Sequence, residues 1–163
     1  MSNLEIIESK IISKESLKYQ LAIWRFLSKK IVFTNGCFDI LHLGHIDYLS
    51  KASEFGNVLI VGLNSDDSVR AIKGINRPIN DENSRAMILA SLSFVNAVIL
   101  FDEDTPYNLI KFIQPDVLIK GSDYKPEDIV GYDIVKAKGG EIETIDFLPG
   151  YSTTSIIDKI KKI

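Results

Sequence analysis

The chain holds only two histidines, His42 and His45, and both lie in the stretch FTNGCFDILHLGHIDYL, Phe33 to Leu49, with Leu43 and Gly44 between them. Two imidazoles at this spacing can reach one anion together, and each can donate an N–H to oxygens that gain charge during phosphoryl or nucleotidyl transfer. The stretch follows a hydrophobic run and a glycine-containing turn, which places His45 in the first turn of a helix. The unpaired N–H groups and partial positive charge of such a helix start stabilise a phosphate before any side chain is counted. Gly36 and Gly44 would let backbone approach a ligand closely. On the residues alone two other readings stay open: the imidazoles could be hydrogen-bonded structural groups, or they could ligate a metal with Cys37 and Asp39. Zinc sites bring three or four ligands at spacings such as C-x-x-C or H-E-x-x-H, which this stretch lacks, so no metal ligand is assigned. Neither G-x-x-x-x-G-K-[ST] nor G-x-G-x-x-G occurs, so the ordinary phosphate-binding loops are absent.

Such a pair needs elements to aim it. KIVFTN, NVLIVGL, NAVILF, DVLIK and GEIETIDF read as strands, each brief, rich in Val and Ile, and bounded by Gly, Asn, Asp or Pro. Several are apolar almost throughout, as strands covered on both faces are. Helical patterns separate them. His45 to Phe55 spaces Ile46, Leu49, Ala52 and Phe55 in steps of three, and Ser84 to Phe94 puts Met87, Ile88 and Leu92 on one stripe. DTPYNLIKFIQ suits Thr105 as cap with Pro106 at the first helical position. STTSIIDKIKKI reads as a capped helix that turns Ile156, Ile157, Ile160 and Ile163 inward. Strand and helix alternating in this way predict an α/β fold, a doubly wound, Rossmann-like parallel sheet with helices on both faces and its ligand at the carboxyl ends of the strands, where the order reverses. Residues 31–163 form that domain. Residues 1–30 are expected to be a helical extension packed on it, with Leu17, Leu21, Trp24 and Leu27 on one face.

With 163 residues, 45% of them hydrophobic and 25% charged, the chain suits one domain with a continuous core. A net charge of −3 excludes a protein that coats nucleic acid, because displacing counterions takes a surplus of Lys and Arg. A single cysteine, Cys37, rules out an intramolecular disulfide and fits a reducing compartment. No apolar run nears the ~20 residues of a membrane span, and MSNLEIIESK lacks a secretory core. A cytoplasmic location is expected, with neither membrane nor nucleic acid as partner.

TNGCFDILHLGH resembles the signature of the cytidylyltransferase-like nucleotidyltransferases, whose H-x-G-H motif is matched by His42, Leu43, Gly44 and His45. Four further stretches accompany it: NSD at Asn64 to Asp66, KGINRPINDENSR at Lys73 to Arg85, KGSDYKPE at Lys120 to Glu127, and STTSII at Ser152 to Ile157. Within the family these are most similar to the D-glycero-β-D-manno-heptose 1-phosphate adenylyltransferases, which occur alone or as one half of a bifunctional heptose kinase/adenylyltransferase. The resemblance implies direct attack of a sugar 1-phosphate on the α-phosphorus of ATP, with no covalent enzyme intermediate. It implies Mg²⁺ arriving with ATP and a homodimer, as is common among related enzymes. It also implies catalytic roles for His42, His45 and Lys73. Nucleotide contacts would come from Asn35, Gly36, Phe38, Gly44, Lys120, Gly121, Ser152, Thr153 and Thr154, and contacts to the second substrate from Asp39, Asp66 and Arg85.

Each role has a plainer counterpart. Lys73 could be a solvated loop lysine, and Arg77 and Arg85 ion-pair partners, although a planar guanidinium also suits phosphate. Ser152 to Thr154 could serve chiefly as a helix cap, Asp39 could order its loop by accepting backbone N–H groups, and Asp66 could cap a helix. Cys37 reads as a packed small residue, since no base adjoins it. Two other functions compete: a glycerol-phosphate-type cytidylyltransferase using CTP, and a nucleotide-binding module without catalysis. DFLPGY precedes Ser-Thr-Thr here, where the glycerol-phosphate enzymes carry an Arg, which weakens the CTP reading.

Overall fold

A strand buried on both faces has no polar side to show, and four of the five strands here read that way. The computed structural model of the chain describes residues 1–163 and places β1 (Ile31–Gly36), β2 (Val58–Asn64), β3 (Ala97–Phe101), β4 (Val117–Gly121) and β5 (Glu141–Ile145) in one sheet. All four pairings are parallel and the order is β3-β2-β1-β4-β5. The helices are α1 (Asn3–Glu8), α2 (Lys14–Phe26), α3 (Leu43–Ser53), α4 (Asp66–Lys73), α5 (Glu82–Ser91), α6 (Tyr107–Ile113), α7 (Tyr132–Ala137) and α8 (Thr153–Ile160).

Side chains alternate across a strand, so one apolar run feeds two cores. Val32, Leu59, Val61 and Val98 meet Leu49 and Ala52 of α3 and Leu89 and Ala90 of α5 on one face. Ile31, Phe33, Ile60 and Ile99 meet Leu17 and Leu21 of α2, Ile110 and Ile113 of α6 and Val135 of α7 on the other. Burying one such Leu or Ile stabilises the fold by about 1.5–3 kcal/mol. The expected doubly wound α/β architecture is thus present. The order reverses between β1 and β4, the switch point at whose strand carboxyl ends folds of this kind bind ligands.

The first thirty residues wrap the β3 edge. α1 contacts α5 on one face and α2 fills the other, while the connecting segment runs alongside β3. Ile12 donates its N–H to the Val98 carbonyl at 3.0 Å, and the Val98 N–H reaches the Lys10 carbonyl at 2.8 Å. Leu17 and Leu21 are buried as expected of their face, but α2 ends at Phe26 and leaves Leu27 exposed.

Several local expectations need correction. On α5 the buried stripe is Ala86, Leu89 and Ala90, so the helix is rotated from the Met87–Ile88–Leu92 face and Ile88 lies exposed. Thr105 caps nothing, because α6 starts one residue later than its pattern and Pro106 itself is the cap residue. α8 buries none of its residues fully: Ile156 and Ile157 are half-buried, while Ile160 and Ile163 point to solvent. α1 and α7, six residues each, went unread in the sequence, and α4 was expected only as a helix that Asp66 could cap.

Candidate active site

The first strand ends at Gly36 at the switch point, and Cys37 to Leu41 turn before α3. Phe38 takes a left-handed backbone, φ 44°, a conformation that side chains rarely adopt. Its ring folds back over Gly36, where a Cβ would lie only 3.0 Å from the ring. It also meets the His45 ring edge-on, centroids 5.4 Å apart.

His42 is the cap residue of α3, yet its side chain bonds no helix N–H. Its carbonyl instead accepts the His45 N–H at 2.9 Å. The two imidazoles stack with centroids 3.8 Å apart and planes 22° from parallel. Nδ1 of each is enclosed without a hydrogen-bond partner, so Nε2 is the ring atom left to meet a ligand. Burial, then the neighbouring His42, pushes His45 down to about 4, and burial lowers His42 as well. Both rings are therefore neutral near pH 7 in the ligand-free protein, each with one N–H to donate.

Three further elements bring charge and donors to the loop. Lys73 ends α4, and Lys120 lies near the end of β4, both close enough to Cys37 to interact electrostatically. Lys120 is largely enclosed, under the Tyr124 ring at 5.9 Å. Burial pushes its ammonium down to about 8 against the opposing pull of Asp123 and Cys37. Gly121 makes room for Phe147, whose ring would lie 2.2 Å from a Cβ there. At the α8 start, Ser152 accepts the Ser155 N–H at 3.0 Å and Thr153 donates to the Ile40 carbonyl at 3.3 Å, joining this helix to the histidine loop. Thr154 is exposed beside them. Asn35, at the end of β1, keeps its side-chain oxygen buried and unpartnered. The Cys37 thiol is pushed up by burial, which agrees with a packed residue and not a nucleophile.

The three residues assigned to the second substrate are engaged by the protein itself. Arg85 has no exposed surface. It donates to the carbonyls of Cys37 (2.7 Å), Asn64 (2.8 Å) and Asn80 (3.0 Å) and to Asp66 Oδ1 (2.7 Å). A guanidinium committed in this way pins together the ends of β1 and β2 and the loop before α5. Asp66 is the partner of Arg85, and the cap of α4 is Ser65, which accepts the Ser68 N–H at 3.2 Å. Asp39 is 2% exposed, with Oδ1 accepting the N–H groups of Ile79 and Asn80 at 2.8 and 2.9 Å and Oδ2 accepting Arg77 Nε at 2.6 Å. Burial alone would raise its pKa, but these bonds outweigh it and hold the carboxyl below its ordinary value. Of its two readings, the loop-ordering one describes this geometry.

Sequence reasoning passed over Tyr151, although it adjoins the Ser-Thr-Thr segment. Its ring lies 6.5 Å from His42, 26° from parallel. No group of three or more His, Cys, Asp or Glu side chains gathers to hold a metal, and no helix is long and apolar enough to cross a membrane.

The chain is 57% identical over 154 residues to the bifunctional protein HldE of Campylobacter jejuni subsp. jejuni, covering 94% of this chain and 32% of that protein. It is 52% identical over 153 residues to HldE of Syntrophotalea carbinolica, covering 94% and 31%. The chain thus spans about a third of the length of the curated relatives it matches. Among solved structures, the lipopolysaccharide core biosynthesis protein of Thermoplasma volcanium superposes with a TM-score of 0.59 at 29% identity, over 74% of this chain and 97% of that one. Pantoate-beta-alanine ligase of Francisella tularensis, at 20% identity and a TM-score of 0.56 over 94% and 78%, shares the fold. The family model described as cytidylyltransferase-like matches residues 33–159, and the chain belongs to that family.

Proposed function

We propose that this chain transfers AMP from ATP to D-glycero-β-D-manno-heptose 1-phosphate, giving ADP-heptose and pyrophosphate, an activation step toward surface polysaccharide. The observation that carries the reading is the stacked His42–His45 pair at the start of α3, its rings free of protein hydrogen bonds, at the fold's switch point. ATP and its Mg²⁺ enter together as substrate, the ion keeping most of its waters. An oxygen of the sugar phosphate attacks the α-phosphorus, the bond to the bridging α–β oxygen breaks, and pyrophosphate departs. His42 and His45 donate from Nε2 to the α-phosphate oxygens as charge accumulates. Lys120, and Lys73 from the end of α4, balance the leaving pyrophosphate. The α8 start, through Ser152, Thr153 and Thr154, receives its outer phosphate. Asp39, Arg77 and Arg85 hold the loops without touching the reacting atoms.

The choice of sugar is supported by the likeness of KGSDYKPE to the heptose enzymes, by the identity to bifunctional HldE proteins, and by a structural neighbour named for lipopolysaccharide core biosynthesis. The test is pyrophosphate release by purified protein with Mg²⁺ and heptose 1-phosphate. The expected result is turnover much faster with ATP than with CTP, and equal or reversed rates would remove the assignment.

A further inference from the structure

No hydrogen bond from the protein orients either imidazole, which is unusual for histidines that handle charge: such rings are commonly fixed through Nδ1 to a carbonyl or carboxylate. Packing must fix them instead. Four rings stand in a row, Tyr151, His42, His45 and Phe38, with successive centroids 6.5, 3.8 and 5.4 Å apart. Phe38 is buried at one end and is held by its own turn. Tyr151, 47% exposed, stands at the other. Gly44 completes the join, because a Cβ there would come within 3.0 Å of the His42 ring and 3.2 Å of Tyr151 Cβ. Tyr151 is also the residue before Ser152, the cap of α8.

We propose that Tyr151 is a positioning residue for nucleotidyl transfer: its ring walls the open side of His42 and couples the start of α8 to the alignment of both imidazoles. The proposal rests on the adenylyl-transfer reading of the site. A phosphate settling at the α8 start presses Tyr151 toward His42, so that occupancy of the outer phosphate position sharpens the aim of the rings at the inner one. Tyr151 itself takes no proton and touches no reacting atom.

The experiment compares Y151L and Y151F with the wild type by steady-state kinetics and by NMR titration of the histidine Cε1–H signals in the ligand-free protein. In Y151L, kcat is expected to fall by about 10- to 100-fold, the scale of a small misplacement of catalytic groups, while KM for ATP changes little. The His42 titration should move up toward its ordinary value as water reaches the ring. Y151F, which keeps the ring, should rescue both readouts. An unchanged kcat with an unmoved His42 titration overturns the proposal. So does a rise in KM alone, which marks a simple binding contact, or equal damage in Y151F, which assigns the role to the hydroxyl. If the wild type turns over neither ATP nor CTP, the functional reading fails, and the His42 titration in Y151L still decides whether the ring orients the imidazole.

Discussion

Arg85 and Asp66 form an ion pair of 2.7 Å in which the arginine has no contact with solvent and the carboxylate keeps about a quarter of its exposure. Arg85 is also the only donor in the structure to bridge the carbonyls of Cys37, Asn64 and Asn80. Removing one member of such a pair strands the other and orphans three acceptors, so Arg85→Met is expected to lower unfolding free energy by about 3–5 kcal/mol. Urea denaturation measures it. Arg85→Lys should recover little, because a single ammonium cannot span a planar fork of partners.

The imidazole pair acts on charge that develops during the reaction. His42→Ala or His45→Ala is expected to lower kcat by about 10²–10³, the scale of losing one oriented donor, with the fold intact by circular dichroism. A change under about threefold at both positions would return the pair to a structural role.

Lys120 separates stability from function. Its folded pKa, about 8, lies below the ordinary 10.5, so the unfolded chain holds the proton more firmly and the charge works against folding at neutral pH. Lys120→Met is expected to raise the melting temperature of the ligand-free protein at pH 7 while weakening ATP binding, as measured by calorimetry. A variant both less stable and unchanged in affinity would contradict the placement of this side chain.

His45 has an ordinary pKa of 6.5 and about 4 in the folded chain, so the native state prefers the neutral ring. Stability is full above about 6.5 and declines as pH falls toward about 4, because the unfolded chain takes up a proton that the folded one refuses. His42, lowered as well, contributes in the same direction. Asp39 behaves otherwise: its lowered pKa withdraws stability only as pH drops below the ordinary carboxylate value of 3.8. Denaturant midpoints measured between pH 7.5 and 4.5 should therefore fall for the wild type and flatten in His45→Asn.

The strands were legible in the sequence to within about two residues at their ends, because sheet positions covered on both faces demand unbroken Val, Ile and Leu. Helix position was legible where an apolar stripe meets a core, as for Leu49 and Ala52. It failed for the end of α8, since periodicity says which residues share a face and not whether anything lies against it. For Asp39, Asp66 and Arg85 the sequence left a substrate role and an internal one side by side, for a related reason. Apart from Asn80, which Arg85 also bonds, their partners lie 19 to 48 residues away, and a charged residue within a ligand motif looks the same in sequence whether it grips the ligand or the loop that surrounds it. The depth of Lys120 depends on Tyr124 and on the close approach of Phe147 to Gly121, contacts that no local pattern encodes.

The strap that binds Val98 through Lys10 and Ile12 has a consequence for handling the protein. A parallel sheet with an unprotected outer strand is an invitation to intermolecular β-addition, and β3 is apolar along its whole length. A fragment trimmed to begin at Ile31 would keep every residue of the candidate site yet expose that strand, and would self-associate into insoluble assemblies. The leading segment serves as a built-in guard against polymerisation.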